Sequence, residues 1–203
     1  INPYTGLTYS EGNLQINKAA ASWAQSAATM PLPNSGKWYW EINRATASGT
    51  GMIGIAGSDA NRFWNSQNTM YLDSVANILF YDDAKKYIDS TATSYGVTWY
   101  DANIMAIALN LDDNEITLYK NNATQGTVTI TGGILTAETI IPVDLIYGTE
   151  ERDYNFGQNG TFNGSKTAGG NADDNGIGDF YYAPPAGFLA ICTSNLADPA
   201  VAL

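Results

Sequence analysis

The chain has 203 residues, of which 44% are hydrophobic, 12% aromatic and only 14% charged. This composition excludes an intrinsically disordered chain and fits a single all-β domain. The chain contains no histidine and one cysteine, Cys192, which excludes histidine-based nucleophile triads, histidine-ligated metal centres and an intrachain disulfide. The net charge of −11 disfavours nucleic acid and anionic membrane surfaces as partners, and no apolar run approaches the roughly 20 residues needed for membrane insertion.

The predicted elements, taken in chain order, are β-strands, because apolar and polar residues alternate with a period of two. The first, residues 18–30, is rich in alanine, which favours a helix by propensity. It has no apolar stripe at helical spacing, however, and we predict a strand there. The other predicted strands span residues 37–42, 51–56, 78–81, 103–111, 115–120, 126–131, 140–147 and 188–193. Turns roughly every 8–12 residues are typical of a β-sandwich or barrel.

Two of these strands indicate how the sheets pack. In residues 37–42 the large side chains of Trp38 and Trp40 share one face. Residues 103–111 are apolar on both faces, which predicts a central strand with cover on each side. We therefore expect Trp38, Trp40 and Trp99 to lie between the sheets.

Several segments resemble the strands of the SPRY domain family, and they occur in the family's order. Residues 35–42 (SGKWYWEI) resemble its early core strand, and residues 51–56 (GMIGIA) resemble the strand that follows. Residues 104–122 resemble its signature hairpin. Pro142 with the strand after it, and residues 155–158 (NFGQ), resemble its closing strands. The resemblance implies an all-β fold, a SPRY-like bent β-sandwich of two antiparallel sheets.

The sequence departs from the SPRY pattern at two turns of the signature hairpin. Asn114 stands in the first turn, and Asn121-Asn122 stands where an Asn-Gly turn is expected. Asparagine tolerates the left-handed backbone conformation, so both turns are compatible with the hairpin. The ligand-binding loops of the eukaryotic members align with nothing in this chain, and we carry over no binding residue from them.

The C-terminal stretch, residues 178–196, resembles SPRY-containing virion proteins of tailed bacteriophages. This resemblance implies that residues 1–203 form a single SPRY-like domain within a longer polypeptide on the virion surface, in the capsid or in the tail or fibre. The implied role is non-catalytic: capsid decoration, or recognition of a protein or host surface through loops. The implied partners are other virion proteins and a host-surface protein or glycan, with an oligomer possible through the parent chain.

Other functions remain open at this stage. A glycan-binding module would show an exposed groove with aromatic rings, and a structural connector would show a large apolar patch. A polysaccharide-degrading enzyme of a phage tail needs a pair of carboxylates in a cleft. A cellular SPRY protein-interaction domain would share the fold alone.

The glutamates give little support to the enzyme. The chain has only six, and none forms an obvious pair on one strand. Glu41 is alone on its predicted strand, and Glu150-Glu151 are predicted to lie in a loop with Arg152. We predict no catalytic residues, and we expect these carboxylates to be solvated surface groups.

An asparagine- and aspartate-rich loop near the C-terminus resembles half of a calcium loop. Asn171, Asp173 and Asn175 alternate as oxygen ligands do in such loops, and Asp179 could add another oxygen. No bidentate glutamate follows at the twelfth position. The alternatives are a calcium site and a surface loop whose side chains cap their own backbone; no other cofactor is predicted.

Three aromatic segments are candidates for ligand binding, because exposed Trp, Tyr and Arg residues form hot spots in protein recognition and stack on sugar rings. Core packing is the alternative for each of them. The candidate ligand-binding residues are Arg62, Phe63, Trp64, Tyr95, Arg152 and Tyr154.

Overall fold

The computed structural model describes residues 6–57 and 76–196, and the helices in this part of the chain are short 3-10 turns. The strands are β1 (Leu7–Ser10), β2 (Gln15–Ala27), β3 (Lys37–Ala47), β4 (Thr50–Gly57), β5 (Asn77–Tyr81), β6 (Lys85–Ile88), β7 (Thr91–Ser94), β8 (Ile104–Asn110), β9 (Glu115–Lys120), β10 (Ala123–Thr129), β11 (Ile140–Asn155) and β12 (Leu189–Ala190). The 3-10 turns are Glu11–Asn13, Gly132–Thr136 and Thr193–Asn195. Within these residues no helix has the length and apolar character needed to cross a membrane.

The strands form one continuous sheet that divides into two wings along the long strands β2 and β11. The first wing has the order β10-β9-β8-β3, followed by the C-terminal half of β11, the N-terminal half of β2 and β1. The second wing has the order β7-β6-β5-β4, followed by the N-terminal half of β11 and the C-terminal half of β2. The strands of both wings pair antiparallel, except that β12 runs parallel to β3.

The sheet bends at residues 147–150 of β11, where β11 changes its pairing partner from β4 to β3 and its register against β2 shifts. β3 pairs with β11 as far as Glu150, and β4 takes over at Tyr147. The register of β2 against β11 shifts between Tyr147 and Gly148, as in a β-bulge. Gly148 has φ of 91°, and a Cβ on Gly49 would lie 1.9 Å from the carbonyl oxygen of Tyr147. Two glycines are therefore needed where the sheet bends.

Three buried clusters follow from the alternation of side chains along the strands. The largest lies between the wings and contains Trp38, Trp40 and Trp99, as predicted. A second covers the outer face of the second wing. The third covers the outer face of β3 and β8, where Phe180 from the C-terminal segment packs on Tyr39 with ring centroids 5.1 Å apart. The expectation that β8 is a central strand covered on both faces is confirmed.

A buried glutamate attaches the C-terminal segment to the first wing. Glu41 on β3 accepts hydrogen bonds from the backbone amides of Tyr181 and Tyr182, at 2.9 and 2.7 Å, and from the side chain of Asn155 at 3.1 Å. Desolvation by burial raises the pKa of this carboxyl group, although these hydrogen bonds oppose the rise. The expectation of a solvated Glu41 is wrong, because the side chain is fully buried. The three partners that bury it lie more than a hundred residues away in sequence.

Most of the predicted strands are confirmed, including the alanine-rich β2, and Asn114, Asn121 and Asn122 adopt the positive φ expected of them. Three short or polar strands, β1, β6 and β7, were not predicted. Residues 148–155 continue β11, so the prediction of a loop around Glu150 is wrong.

The predicted strand over residues 188–193 is too long, because only Leu189–Ala190 pair, with β3. Cys192 lies beyond this pairing and is half-buried against the cluster on the outer face of β3 and β8. Cys192, which the prediction placed inside a strand, therefore lies just after a two-residue strand.

We expect Gly148→Ala to destabilise the fold more than Gly164→Ala. Both glycines have positive φ, 91° and 86°, so both variants incur the left-handed penalty of about 1–2 kcal/mol. Only at Gly148 does the new Cβ meet backbone, 2.8 Å from the Cα of Gly49, whereas Gly164 faces open space. We expect a further loss of about 1–3 kcal/mol at Gly148. Urea unfolding measures the difference, and equal losses would contradict a packed bend.

Candidate functional site

Charged side chains gather inside the protein where the sheet bends, and we call Arg44, Asp82, Asp144, Glu150 and Arg152 the bend cluster. All five are at most 3% exposed. They come from β3, β11 and the residue after β5, on the faces that the two wings turn toward each other. A buried charge is tolerated only when it is paired and hydrogen-bonded, so the cluster fixes how the wings meet.

Arg44 uses its whole guanidinium group to join the wings. It donates to Glu150, with Nε to Oε2 at 2.9 Å and a second bond from Nη2, and Nη1 donates to Asp82 Oδ2 at 2.8 Å. It also donates to the carbonyl oxygens of Trp99, at 2.9 Å, and Gly49, at 3.1 Å. Its guanidinium carbon lies 5.1 Å from the ring centroid of Trp99. One side chain thus holds both wings and the bend together.

Arg152 completes the bend cluster on β11, and Tyr154 is hydrogen-bonded to it. Arg152 donates to Asp144 and, at 3.3 Å, to Glu150 Oε2, and it too lies over the Trp99 ring. The hydroxyl of Tyr154 donates to Asp144 Oδ2 at 2.5 Å. Desolvation by burial raises the pKa of Asp144, although the Arg152 charge opposes the rise. The pKa of Tyr154 is raised well above its ordinary value by the same desolvation and by the Asp144 charge.

These positions bear on two of the candidate ligand-binding residues. Arg152 is fully buried and Tyr154 is 9% exposed, so the alternative of core packing fits both, and neither is an exposed ligand-binding residue. Both side chains point inward because they alternate along β11. The charged residues beside them hid this strand pattern in the sequence. The carboxylates of the bend cluster are close together, but each accepts a hydrogen bond from an arginine inside the core. They are therefore not positioned to act as a general acid and base on a substrate.

The other predicted ligand-binding tyrosine, Tyr95, lies in a loop that spans both wings, residues 95–100, which we call the bridging loop. The amide of Tyr95 donates to Ala84 O at 2.8 Å on the second wing. On the first wing the Tyr95 hydroxyl donates to Gly126 O and accepts from the amide of Leu118 at 3.2 Å. Lys120 Nζ donates to Thr98 O at 2.8 Å. Tyr95 is therefore half-buried and anchors the loop.

Anchored in this way, the bridging loop displays two apolar side chains. Trp99 is buried, but Val97 is 53% exposed and Tyr100 is 59% exposed. Gln125 Oε1 accepts from the amide of Val97 at 3.1 Å, and Asn103 Oδ1 accepts from the amide of Tyr100 at 2.9 Å. Sequence analysis selected Tyr95 in this loop and missed its exposed neighbours, because a residue pattern without periodicity does not say which side chains point outward.

In the loop predicted as a calcium site, Asp173 acts as a backbone cap. Its Oδ1 accepts from the amides of Asn175 and Ile177, at 3.0 and 2.9 Å. Its Oδ2 accepts from the amide of Ala190 at 2.9 Å and from Asn195 Nδ2 at 2.7 Å. Desolvation alone would raise the pKa of Asp173, but these hydrogen bonds together lower it.

The other predicted ligands also have protein partners. Asn171 donates to Tyr181 O at 2.9 Å, Asn175 donates to Asn195 Oδ1 at 2.9 Å, and Asp179 accepts from the amide of Gly160 at 3.2 Å. Among residues 6–57 and 76–196 no group of three or more His, Cys, Asp or Glu side chains could hold a metal ion. The arrangement matches the alternative of a self-capped loop.

The first aromatic segment, with Arg62, Phe63 and Trp64, lies outside the described residues. The second wing carries an aromatic contact that sequence analysis did not identify: the ring of Trp23 lies 5.5 Å from that of Tyr147 and 6.4 Å from that of Tyr81. These rings come from three strands that are distant in sequence and adjacent only in the folded sheet.

Comparison with solved structures identifies the fold. A human SPRY domain superimposes with a TM-score of 0.58 at 13% identity, covering 74% of this chain and 94% of that one. The SPRY domain of human HERC1 gives 0.55 at 11% identity, covering 73% and 91%. Stonustoxin gives 0.57 at 17% identity; 75% of this chain is covered, and the match spans about a quarter (26%) of the toxin chain. No protein-family model and no curated protein sequence matches the chain. The predicted SPRY-like bent β-sandwich is confirmed.

We expect Arg44→Met to lower the free energy of unfolding by about 3–5 kcal/mol, because it leaves Asp82 buried without a charge partner and leaves Glu150 with only its 3.3 Å contact to Arg152. Lys37→Met is the matched control: it removes a cation that pairs with Asp113 at 3.6 Å on the surface, and we expect a loss below about 1 kcal/mol. Denaturant unfolding compares the two variants. Losses of similar size would show that the bend cluster does not hold the wings.

We expect Asp173→Asn to destabilise the protein at neutral pH by about 1–3 kcal/mol, since an amide cannot accept all four hydrogen bonds. A carboxyl group with a lowered pKa stabilises the fold above its ordinary pKa, and this contribution is lost as the pH falls. The gap between variant and wild type should therefore close below the ordinary value of 3.8. Thermal melts across pH measure it.

The same melts test the calcium alternative. We expect the wild-type melting temperature to be equal in calcium and in chelator, because Asp173 already has four protein donors. A rise in calcium that disappears in Asp173→Asn would instead assign the loop as a metal site.

Proposed function

We propose that the chain is a non-catalytic recognition module that binds a protein partner through the bridging loop, and that it is displayed on a bacteriophage virion. The observation that carries the proposal is the exposure of Val97 and Tyr100 on a loop that both wings hold in place. The SPRY-like fold supports a binding role, since the solved structures that share it include two SPRY domains.

The anchoring of the loop matters for affinity. Ordering a free loop on binding consumes part of the interaction energy, and a loop already fixed by hydrogen bonds avoids that loss. Tyrosine supplies a large contact area with few rotatable bonds, and such residues dominate protein interfaces. Tyr100 and Val97 therefore form a small, pre-organised apolar contact.

The virion assignment is supported by a different observation. Residues 178–196 resemble SPRY-containing virion proteins, and in the structure this segment is an integral part of the domain, through Glu41 and Phe180. Many copies on one particle would make weak single contacts sufficient by avidity. The acidic composition suits an exposed position better than contact with packaged DNA.

We expect Tyr100→Ala to weaken binding to the partner by roughly thirtyfold, the loss typical of a hot spot of about 2 kcal/mol, without changing the melting temperature. The fluorescently labelled domain is titrated onto a panel of bacterial strains and onto virions that lack the protein, and saturation is read by flow cytometry and sedimentation. Leu135→Ala is the matched control, because Leu135 is also 53% exposed but lies outside the bridging loop.

Saturable binding to cells that Tyr100→Ala weakens and Leu135→Ala preserves supports host recognition, and the same pattern on virions alone supports decoration. Binding that both variants retain in full contradicts a role for the bridging loop. Binding to neither target contradicts the proposed function.

A further inference from the structure

A groove opens at the edge of the sandwich where β1 and β2 form the end of the sheet. We call it the edge groove. Its volume is about 250 Å³, and its walls include Tyr9, Ser26, Met30, Pro142, Phe156 and Ile191. Small-molecule sites typically measure about 300–1,000 Å³ and are mostly apolar with a few polar groups. The edge groove therefore has room for a single ring-sized molecule.

The groove has a polar floor. A second hollow of about 50 Å³ shares Ser26, Pro142 and Phe156 with it and reaches Asp144 and Tyr154. These two residues and Ser26 are all less than 10% exposed. Two hydroxyl groups lie together at the wall of the groove, where the Tyr9 hydroxyl donates to Ser26 Oγ at 3.1 Å.

The carboxylate of the floor still has capacity to accept hydrogen bonds. Asp144 Oδ1 accepts from Arg152 and Oδ2 accepts from Tyr154, whereas an ionised carboxylate offers about four acceptor positions. A ligand with hydroxyl groups can add hydrogen bonds there without displacing either partner.

The walls select a ligand with an apolar face. The ring of Phe156 stacks on that of Tyr154, with centroids 5.8 Å apart and planes inclined by 22°. Met30 and Pro142 extend this apolar lining. A flat molecule placed here gains contact area on one face, as aromatic side chains provide in binding sites.

The charge of the site excludes anions. No lysine or arginine appears among the described residues that line either hollow, and the ionisable acid there is Asp144. We propose that the edge groove binds one neutral sugar ring, with its apolar face on Phe156 and its hydroxyl groups directed to Tyr9, Ser26 and Asp144. This site is separate from the bridging loop and does not depend on the function proposed for it.

Nuclear magnetic resonance titration of the isotope-labelled domain tests the proposal. Glucose, galactose and N-acetylglucosamine are the neutral probes, and glucuronate is the anionic control. We expect saturable shifts of the backbone amides of residues 26–30 and of Phe156 with at least one neutral sugar, in the millimolar range, and no saturation with glucuronate. Phe156→Leu keeps an apolar side chain but removes the ring face, and we expect about tenfold weaker binding.

Ser26→Ala is a second variant, which keeps the proposal testable if Phe156→Leu unfolds, and Leu135→Ala is the matched control, because Leu135 is exposed and lines neither hollow. Weaker sugar binding in Ser26→Ala with wild-type affinity in Leu135→Ala supports the site. The proposal is overturned if no neutral sugar saturates the groove amides, if glucuronate binds as well as the neutral sugars, or if both groove variants bind like the wild type. None of these outcomes bears on the bridging loop, whose partner is measured separately.

Discussion

Two buried arginines determine how the wings of this protein meet. Arg44 on β3 and Arg152 on β11 are surrounded by three carboxylates from both wings, and none of these charges can remain buried unless the others are in place. The wings therefore close in one register. Because Arg44 also binds the carbonyl oxygen of Trp99, the same contacts position the bridging loop that follows from the second wing. The recognition surface is thus a consequence of the core.

A second use of buried carboxylates explains why a glycine- and asparagine-rich C-terminal segment has a defined structure. Glu41 and Asp173 accept hydrogen bonds from the backbone amides of residues that make few hydrogen bonds between strands. Buried amides need partners, and a single carboxylate can supply several. Phe180 then fills the outer face of the first wing. The segment behaves as part of the domain because Glu41 on β3 and Asp173 within the segment accept hydrogen bonds from several of its backbone amides.

The strands with clear alternation could be predicted from the sequence, and Trp38 and Trp40 were placed correctly in the core. The C-terminal half of β11 could not, because Glu150 and Arg152 are typical of a loop until their partners Arg44 and Asp144 are known. The same reason explains the failure for Glu41. Exposure at Tyr100 was equally hidden, since the pattern of residues 95–100 has no period. Local residue patterns are enough to predict the strands, whereas the site depends on contacts between residues that are distant in sequence.

The two ends of the sheet offer different chemistry, and the charge of the molecule suggests what each can accept. Acidic residues outnumber basic ones by 20 to 9, and Arg44 and Arg152 are enclosed in the core, where they cannot offset surface charge. A partner that meets Tyr100 approaches a molecule of net negative charge, but Lys86 and Lys120 contact the bridging loop itself, so an apolar pocket fits its exposed side chains best. The edge groove, whose floor is a carboxylate, admits neutral hydroxyl-bearing rings instead. One fold thus presents the proposed protein-binding loop and the proposed small-molecule groove, which do not compete for the same ligand.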